Sequence, residues 1–397
     1  MKTVTVIGCT GALPPESAGV LAGATLVVGA ARYLSMVDSA ASSIDGRAER
    51  LILGDVSAAL ARLAAHDGPA VVLASGDPGF FGIVRALRRT GIDFAVLPAP
   101  SSVATAFARL GLPWDDALVV SAHGRALAPA VNACRAYPKV AVLTGPGAGP
   151  AELGTALRDL PRRLVVAERL GTPDERLTET TPAHAAEARW TDPNVVLVLG
   201  NAQPDGARWV AGAPPGPTGW ALPDAAFAHR MITRAEVRAL ALARLGPRLG
   251  DLVWDVGAGS GSVAVECARF GAAVVAVERD PAACATIRTN AARYRVELAV
   301  VEDGAPQCLA ELPDPDAVFV GGGGVGVLTA CTARQPARIV AAYAAVERVG
   351  PALAALSGAG YAAEGVQLQA NRLAALPDGT HRLAATNPVY LVCGVLP

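Results

Sequence analysis

Along the first half of the chain, short runs rich in Val, Leu and Ile recur between Ala-rich stretches of helical spacing: TVTVIG, ATLVVG, AVVLAS, ALVVSA, KVAVLT, RLVVAERL and NVVLVLGN. Unbroken apolar runs of this length predict strands covered on both faces, as in a parallel sheet with crossover helices. The rhythm stops between Asn201 and Trp220, where NAQPDGARWVAGAPPGPTGW gathers prolines and glycines without a period. That composition predicts a linker at residues 206–217, with a boundary near Pro214. A second series of strands and helices follows. Its first helix is expected to start at Thr233, where Thr233 and Glu236 have the spacing of a capping box ahead of VRALALARL.

Composition narrows the class. A chain of 397 residues has room for two or three domains. Apolar residues at 52% and charged ones at 17% supply ample core and none of the charge excess of a disordered chain. A formal net charge of -1 gives no positive field for phosphate chains, so nucleic-acid partners are not expected. The seven cysteines lie far apart, with no C-x-x-C pair and no histidine cluster at metal-ligand spacing. They read as reduced packing residues, and no metal site is expected. No apolar stretch reaches the roughly 20 residues of a membrane helix, and MKTVTVIG runs straight into a strand pattern, so a cytoplasmic protein is expected.

In the second half, the strand DLVWDV runs into GAGSGSVAVE, a glycine-rich turn that opens a helix. Gly257, Gly259 and Gly261 let the backbone turn sharply and let a ligand approach the main chain. A dinucleotide fingerprint would place its third glycine at position 262, which is Ser262. The next strand, AAVVAVE, ends at Glu278, about 20 residues on, where a carboxylate can take both hydroxyls of a ribose. Asp255 precedes the turn, and Asp303 lies just past a further strand, where a polar side chain can meet an adenine amino group. DAVFVGGGG then contributes Asp316 and a strand ending in four glycines. One such turn alone is as readily plain strand-to-helix geometry; the ordered set points to S-adenosylmethionine.

The run HRMITRAEVRALALARLGPRLGDLVWDVGAGSGSVAVE resembles the decarboxylating cobalt-precorrin and precorrin-6B methyltransferase family, which carries a similar I-T-(K/R)-x-E-V-R-A run before its glycine turn. APQCLAELPDPDAVFVGGG resembles the same family downstream. After Arg338 the chain departs from it: the family has an asparagine and a threonine where IVAAYAAVE has Ala342 and Ala345, while Glu347 is kept.

No D-x-G-x-G turn occurs before residue 200. The motifs there are SGDPGFFGI (Ser75 to Ile83), PAPSSVATAFARLGLPW (Pro98 to Trp114), SAHGR (Ser121 to Arg125) and ERLGTPDER. They resemble the tetrapyrrole methylase family, in which two α/β lobes enclose a folded adenosylmethionine held largely by main-chain groups. That family opens with a G-x-G-x-x-G-like loop. Here GCTGALPP has Thr10 at the second glycine position and is shorter.

The resemblance implies an α/β chain with an N-terminal two-lobed tetrapyrrole methylase fold at 1–205, then a Rossmann-like class I methyltransferase domain at 218–397. It implies two adenosylmethionine sites per chain, a precorrin substrate methylated at carbons 5 and 15, decarboxylation of the carbon-12 acetate, and a homo-oligomer. The candidate cofactor residues are Asp255, Gly257, Gly259, Gly261, Glu278 and Asp303 in the second half and Gly76, Asp77, Ser101 and Ser102 in the first. Asp77 is as readily a turn residue before Pro78. Substrate carboxylates call for arginine forks, for which Arg125 and Arg238 are the candidates. His123 and Arg125, a His-Gly-Arg at a strand end, are the candidate pair for substrate carboxylates in the first site, and His123 stands with Glu236 and Glu347 among the catalytic candidates, the two glutamates as proton handlers; the bland alternatives are a solvated loop for His-Gly-Arg and the capping role for Glu236. His66, His184, His229 and His381 are scattered and read as structural or surface residues. Two other functions fit less of the pattern: a single methyltransferase for another small molecule or RNA with a recruiting first half, and a non-catalytic tetrapyrrole carrier.

Overall fold

The apolar runs become strands. A computed structural model describes residues 3–39, 48–200, 210–212, 216–229 and 231–397, so the boundary at Pro214 and most of the expected linker lie outside the described residues. Contacts divide the chain into Met1–Arg125 with Lys139–Ala213 and a second unit of Ala126–Pro138 with Pro214–Pro397.

In the first unit, β1 (Val4–Cys9), β2 (Leu26–Gly29), β3 (Glu49–Ile52), β4 (Ala70–Ser75) and β5 (Phe94–Leu97) form a wholly parallel sheet in the order β3-β2-β4-β1-β5. Both faces are covered: Ile7 and Cys9 cluster with Leu34 and Val37, and Val4 and Val6 with Leu60 and Leu63. The outer strands β3 and β5 are half exposed, and only β3, ERLI, mixes charged with apolar residues.

The second lobe holds β6 (Leu118–Ser121), β7 (Lys139–Leu143), β8 (Arg163–Glu168), β9 (Arg176–Thr180) and β10 (Asn194–Leu199), in the order β6-β7-β10-β8-β9. Here the parallel expectation is corrected. Only β6 and β7 run parallel; the β7–β10, β10–β8 and β8–β9 pairs are antiparallel. Burial on two faces makes a strand apolar whatever its direction, and the connection at residues 169–175 is too short for a crossover, which takes about a dozen residues or more.

The second unit is built on β11 (Leu252–Val256), β12 (Ala273–Glu278), β13 (Ala299–Glu302), β14 (Ala317–Val320), β15 (Arg338–Tyr343), β16 (Ala362–Leu368) and β19 (Val389–Val395), with β17 (Arg372–Ala375) and β18 (His381–Ala384) as a separate hairpin. The sheet order is β13-β12-β11-β14-β15-β19-β16, with β19 antiparallel to both its neighbours. Trp254 of the interior strand β11 is fully buried and donates its indole N–H to the Pro313 carbonyl at 3.1 Å. Helices cover both faces: Val327, Leu328 and Leu356 pack on one, Val237, Leu242 and Cys267 on the other. This is the Rossmann-like arrangement expected of a class I methyltransferase.

The first α-helix after the expected linker spans Ala235–Leu245 and is not capped by Thr233. Its open N–H at Ala235 donates instead to Asp224 Oδ1 at 2.9 Å, and Asp224 Oδ2 accepts from Arg234 at 3.2 Å. A carboxylate brought from an earlier turn satisfies the terminus and meets its positive end, so the capping-box reading of Thr233 and Glu236 is corrected. All seven cysteines are free and buried. Among the described residues, no helix is long and apolar enough to cross a membrane.

Candidate active sites

In the second unit, adjacent parallel strands end on one edge of the sheet, and the loops leaving them carry most of the candidate residues. Gly257, Gly259 and Gly261 follow β11 with φ of 73°, 55° and 71°. A side chain at Gly257 would strike the backbone N of Gly322 at 2.8 Å, and one at Gly261 would strike Ile287, so these two are small because neighbouring chain fills the space. At Gly259 the nearest atom to an added Cβ is the Met231 carbonyl oxygen at 3.8 Å. The turn is open there, and only its left-handed backbone demands glycine.

Glu278 ends β12 beside this turn. Its Oε2 accepts the Gly259 N–H at 2.9 Å and its Oε1 the Asp280 N–H at 3.0 Å. Each oxygen keeps a lone pair, so the carboxylate is oriented and still able to accept two hydroxyl groups. Asp303 lies one residue past β13, where Glu302 pairs in register with Glu278; it is exposed and accepts the Gly304 N–H at 2.6 Å. On the far side of β11, Gly321 N–H donates to the Val256 carbonyl at 2.8 Å and starts the four-glycine loop. Glu347 is exposed in the short 3-10 turn Val346–Arg348 that follows β15.

Asp255 faces inward. Its Oδ2 accepts the Ala264 N–H at 2.9 Å, tying the strand to the helix beyond the turn, while its buried Oδ1 has no hydrogen-bond partner among the described residues. Burial pushes this carboxyl from an ordinary 3.8 up to about 7; the Ala264 N–H opposes the shift and the Glu278 charge adds to it. Asp316 Oδ2 accepts the Leu252 N–H at 2.7 Å, at the opposite end of the sheet from the glycine turn.

Two candidates lie elsewhere. Arg238 is wholly buried: Nε donates to Glu266 Oε1 at 2.8 Å, and its two remaining nitrogens donate to the carbonyls of Thr233 and Leu222. With its fork spent inside the protein, it does not reach a substrate carboxylate in this structure. Glu236 is paired with Arg372 of the β17–β18 hairpin at 2.9 Å.

In the first unit the C-terminal ends of β1, β4 and β5 converge. Gly76, at φ 61°, donates its N–H to the Cys9 carbonyl at 2.8 Å, and a side chain at Gly8 would strike the Gly76 carbonyl oxygen at 2.6 Å. Asp77 Oδ1 accepts the Gly79 N–H at 2.8 Å, the bond of a turn. Ser101 caps the helix Ser102–Leu110 by accepting the Ala104 N–H at 3.1 Å. Gly76, Asp77, Ser101 and Ser102 are thus gathered on one edge, since a Cβ at Gly76 would lie 3.3 Å from the Ser102 nitrogen. The shortened first loop touches the ERLGTPDER segment: a Cβ at Gly11 would overlap the Gly171 carbonyl.

From the second lobe, His123 and Arg125 are exposed in the loop after β6. His123 Nδ1 is 3.0 Å from the Thr144 carbonyl oxygen, and Arg125 donates to Ser121 Oγ at 2.8 Å and to the His123 carbonyl at 3.1 Å. Its guanidinium lies 5.8 Å from the ring centre of Phe81. Phe81 and Phe80 border an apolar cavity of about 640 Å³ walled by Pro113, Trp114, Leu118 and Val119. Sequence reasoning missed Arg32, which donates to Ser75 Oγ at 2.6 Å just before the Gly76 turn; its only trace in the sequence is a cation immediately after the second apolar run.

Comparison with known proteins covers both units. Residues 6–186 match the family model described as Tetrapyrrole (Corrin/Porphyrin) Methylases, and residues 225–390 match the Precorrin methyltransferase domain. A Sinorhizobium protein named precorrin-6Y C(5,15)-methyltransferase [decarboxylating] is 39% identical over 81% of this chain and 78% of its own. A cobalt-precorrin-7 C(5)-methyltransferase of Salmonella typhimurium is 35% identical over 38% of this chain and 77% of its own. The crystal structure of the C-terminal domain of a Rhodobacter capsulatus precorrin-6Y C5,15-methyltransferase is 33% identical, covers 44% of this chain and 97% of that domain, and superposes with a TM-score of 0.40. The chain belongs to the family of decarboxylating precorrin-6Y C(5,15)-methyltransferases.

Proposed function

We propose that this chain methylates precorrin-6B (precorrin-6Y) at carbons 5 and 15 and decarboxylates its carbon-12 acetate, giving precorrin-8 in the biosynthesis of cobalamin. The observation that carries this is the relative named for both methylations, matched over 81% of the chain, more than either unit contains. Residues 1–205 are assigned to carbon 5, and residues 218–397 to carbon 15 and the decarboxylation. Each half is assigned one S-adenosylmethionine site, and the working form is a homo-oligomer.

The residues present fit that cofactor in the second unit. Glu278 offers an oriented carboxylate for the ribose hydroxyls, Gly259 leaves the turn open, and Asp303 stands exposed at the next strand end. In the first unit Gly76, Asp77, Ser101 and Ser102 form the corresponding edge. Adenosylmethionine, when bound, supplies a methyl group already activated by its sulfonium. What remains for the protein is to hold a nucleophilic bridging carbon in line with it and keep water out.

For the first site, Arg125 takes a carboxylate of the macrocycle and the aromatic wall of Phe80, Phe81 and Trp114 takes its apolar face. His123, in the same loop, is assigned to the same carboxylates. For the decarboxylation, the bond between the acetate methylene and its carboxyl carbon breaks, and the electron pair passes into the conjugated imines of the macrocycle. The methylene then takes up a proton, for which Glu347 in the turn Val346–Arg348 is the candidate.

The test is an equilibrium titration of the full chain with adenosylmethionine. Two equivalents per chain support the bifunctional reading. A single equivalent supports a recruiting first half, and none supports a tetrapyrrole carrier.

A further inference from the structure

Two arginines of the first unit are held in the same way, one in each lobe. Ser75 closes β4 and Ser121 closes β6. Arg32 donates to Ser75 Oγ at 2.6 Å, with its guanidinium 4.7 Å from the ring centre of Tyr33; Arg125 donates to Ser121 Oγ at 2.8 Å, with its guanidinium 5.8 Å from the ring centre of Phe81. Tyr33 completes the first arrangement with its hydroxyl 3.1 Å from Ser75 Oγ and 3.3 Å from the Cys9 carbonyl oxygen, sharing its one O–H between them.

Several other arginines of this unit are neutralised by acids, among them Arg50 by Asp38, Arg109 by Glu175 and Arg163 by Glu179. Neither Arg32 nor Arg125 has a carboxylate partner among the described residues. A guanidinium fixed by a hydroxyl and an aromatic face loses side-chain freedom without losing charge, and most of its five N–H donors stay open. Such a group is prepared for an anion. Both stand beside the loop from Gly76 to Phe81, Arg32 next to its first residue and Arg125 over its last. Phe81 is held there at φ 55°, a conformation rare for an aromatic residue.

We infer that Arg32 is a second carboxylate anchor for the tetrapyrrole of the first site, and that with Arg125 it clamps the macrocycle across the Gly76–Phe81 loop. The inference rests on reading this unit as a tetrapyrrole methylase and extends it to the residue that fixes the ring's orientation. A macrocycle gripped by one fork can pivot about that contact; a second grip on another acetate or propionate stops the rotation and sets which bridging carbon faces the methyl donor. Arg32 touches substrate, and Ser75 is the positioning residue behind it.

The experiment uses the full chain at saturating adenosylmethionine, measuring methyl transfer to carbon 5 against tetrapyrrole concentration. Arg32→Ala is expected to raise KM about tenfold or more, the loss of one charge-assisted contact. Arg32→Lys keeps the charge without the fork and should recover only part of it. Ser75→Ala should raise KM less, with kcat nearly unchanged. Adenosylmethionine affinity, transfer to carbon 15 and carbon dioxide release are internal controls that should not move. Because both anchors hold one ring, the Arg32→Ala, Arg125→Ala double variant should depart from additivity. An unchanged KM in both Arg32 variants overturns the anchor, as does a loss confined to adenosylmethionine affinity. Wild-type chain that transfers no methyl to carbon 5 would instead sink the reading of the unit, and the anchor with it.

Discussion

Glu278 Oε2 accepts the backbone N–H of Gly259 at 2.9 Å, so the acid at the end of β12 is oriented by the glycine turn it adjoins. If this carboxylate holds the ribose, Glu278→Ala should lower adenosylmethionine affinity in the second site about tenfold or more, since charge-assisted hydrogen bonds contribute about 1.5 to 3 kcal/mol. Calorimetric titration of the full chain resolves the effect as one weakened class of sites beside one unchanged class. Unchanged affinity in a folded variant would remove this acid from the site.

Arg238 and Glu266 form an ion pair with both side chains fully buried, and Glu266 also accepts the N–H groups of Ala221 and Leu222 at 2.9 Å. Removing one partner leaves the other charged and unpaired in the interior, which costs about 3 to 5 kcal/mol. Arg238→Ala should therefore lower the melting temperature of the second unit sharply. Whatever fraction remains folded should keep its KM for the tetrapyrrole. A stable variant with a raised KM would return Arg238 to the substrate-binding set.

What the sequence made legible followed from local rules. DVGAGSG and the acid about 20 residues on are set by the geometry of one strand, one turn and the next strand, and Glu278 duly meets Gly259. Arg238 shows where such rules end. Its type and its place on a helix suit a carboxylate fork, yet its partners are Glu266, 28 positions later, and the Leu222 carbonyl, 16 earlier. Asp224 is the same lesson at a helix start: the cap comes from 11 residues upstream, beyond any capping-box window. Arg32 went unnoticed because its meaning lies in Ser75, 43 residues away, and in the lack of an acid beside it. Strand direction in the second lobe was hidden for another reason, since burial dictates residue type and says nothing of polarity.

The buried carboxyl of Asp255 gives a pH signature. Its folded-state pKa of about 7 exceeds the ordinary 3.8, so between these values the folded chain binds more protons than the unfolded chain. Stability must then fall as pH rises through that window, from its start near 4 to its end near 7, and the contribution levels off above it. Asp255→Asn keeps an acceptor for the Ala264 N–H and removes the titration, so it should flatten the slope and stabilise the second unit at pH 8. Urea melts across the window decide it; parallel slopes for the variant and the parent would show that this carboxyl is not the titrating group.

Gly76 and Gly259 sit in unlike turns, at φ 61° and 55°, and a valine at either is strained by its backbone alone. At Gly76 the added Cβ would also press on the Ser102 nitrogen at 3.3 Å. The two substitutions therefore disable one turn at a time in the full chain, without cutting it. With unmethylated substrate and adenosylmethionine, Gly76→Val should yield a product that has gained one methyl, at carbon 15, and has lost carbon dioxide. Gly259→Val should release no carbon dioxide and add at most one methyl, at carbon 5. Mass spectrometry of the tetrapyrrole together with trapping of carbon dioxide reads both outcomes. Carbon dioxide released by the Gly259→Val chain, or none released by the Gly76→Val chain, would mean that the decarboxylation does not belong to the second unit alone.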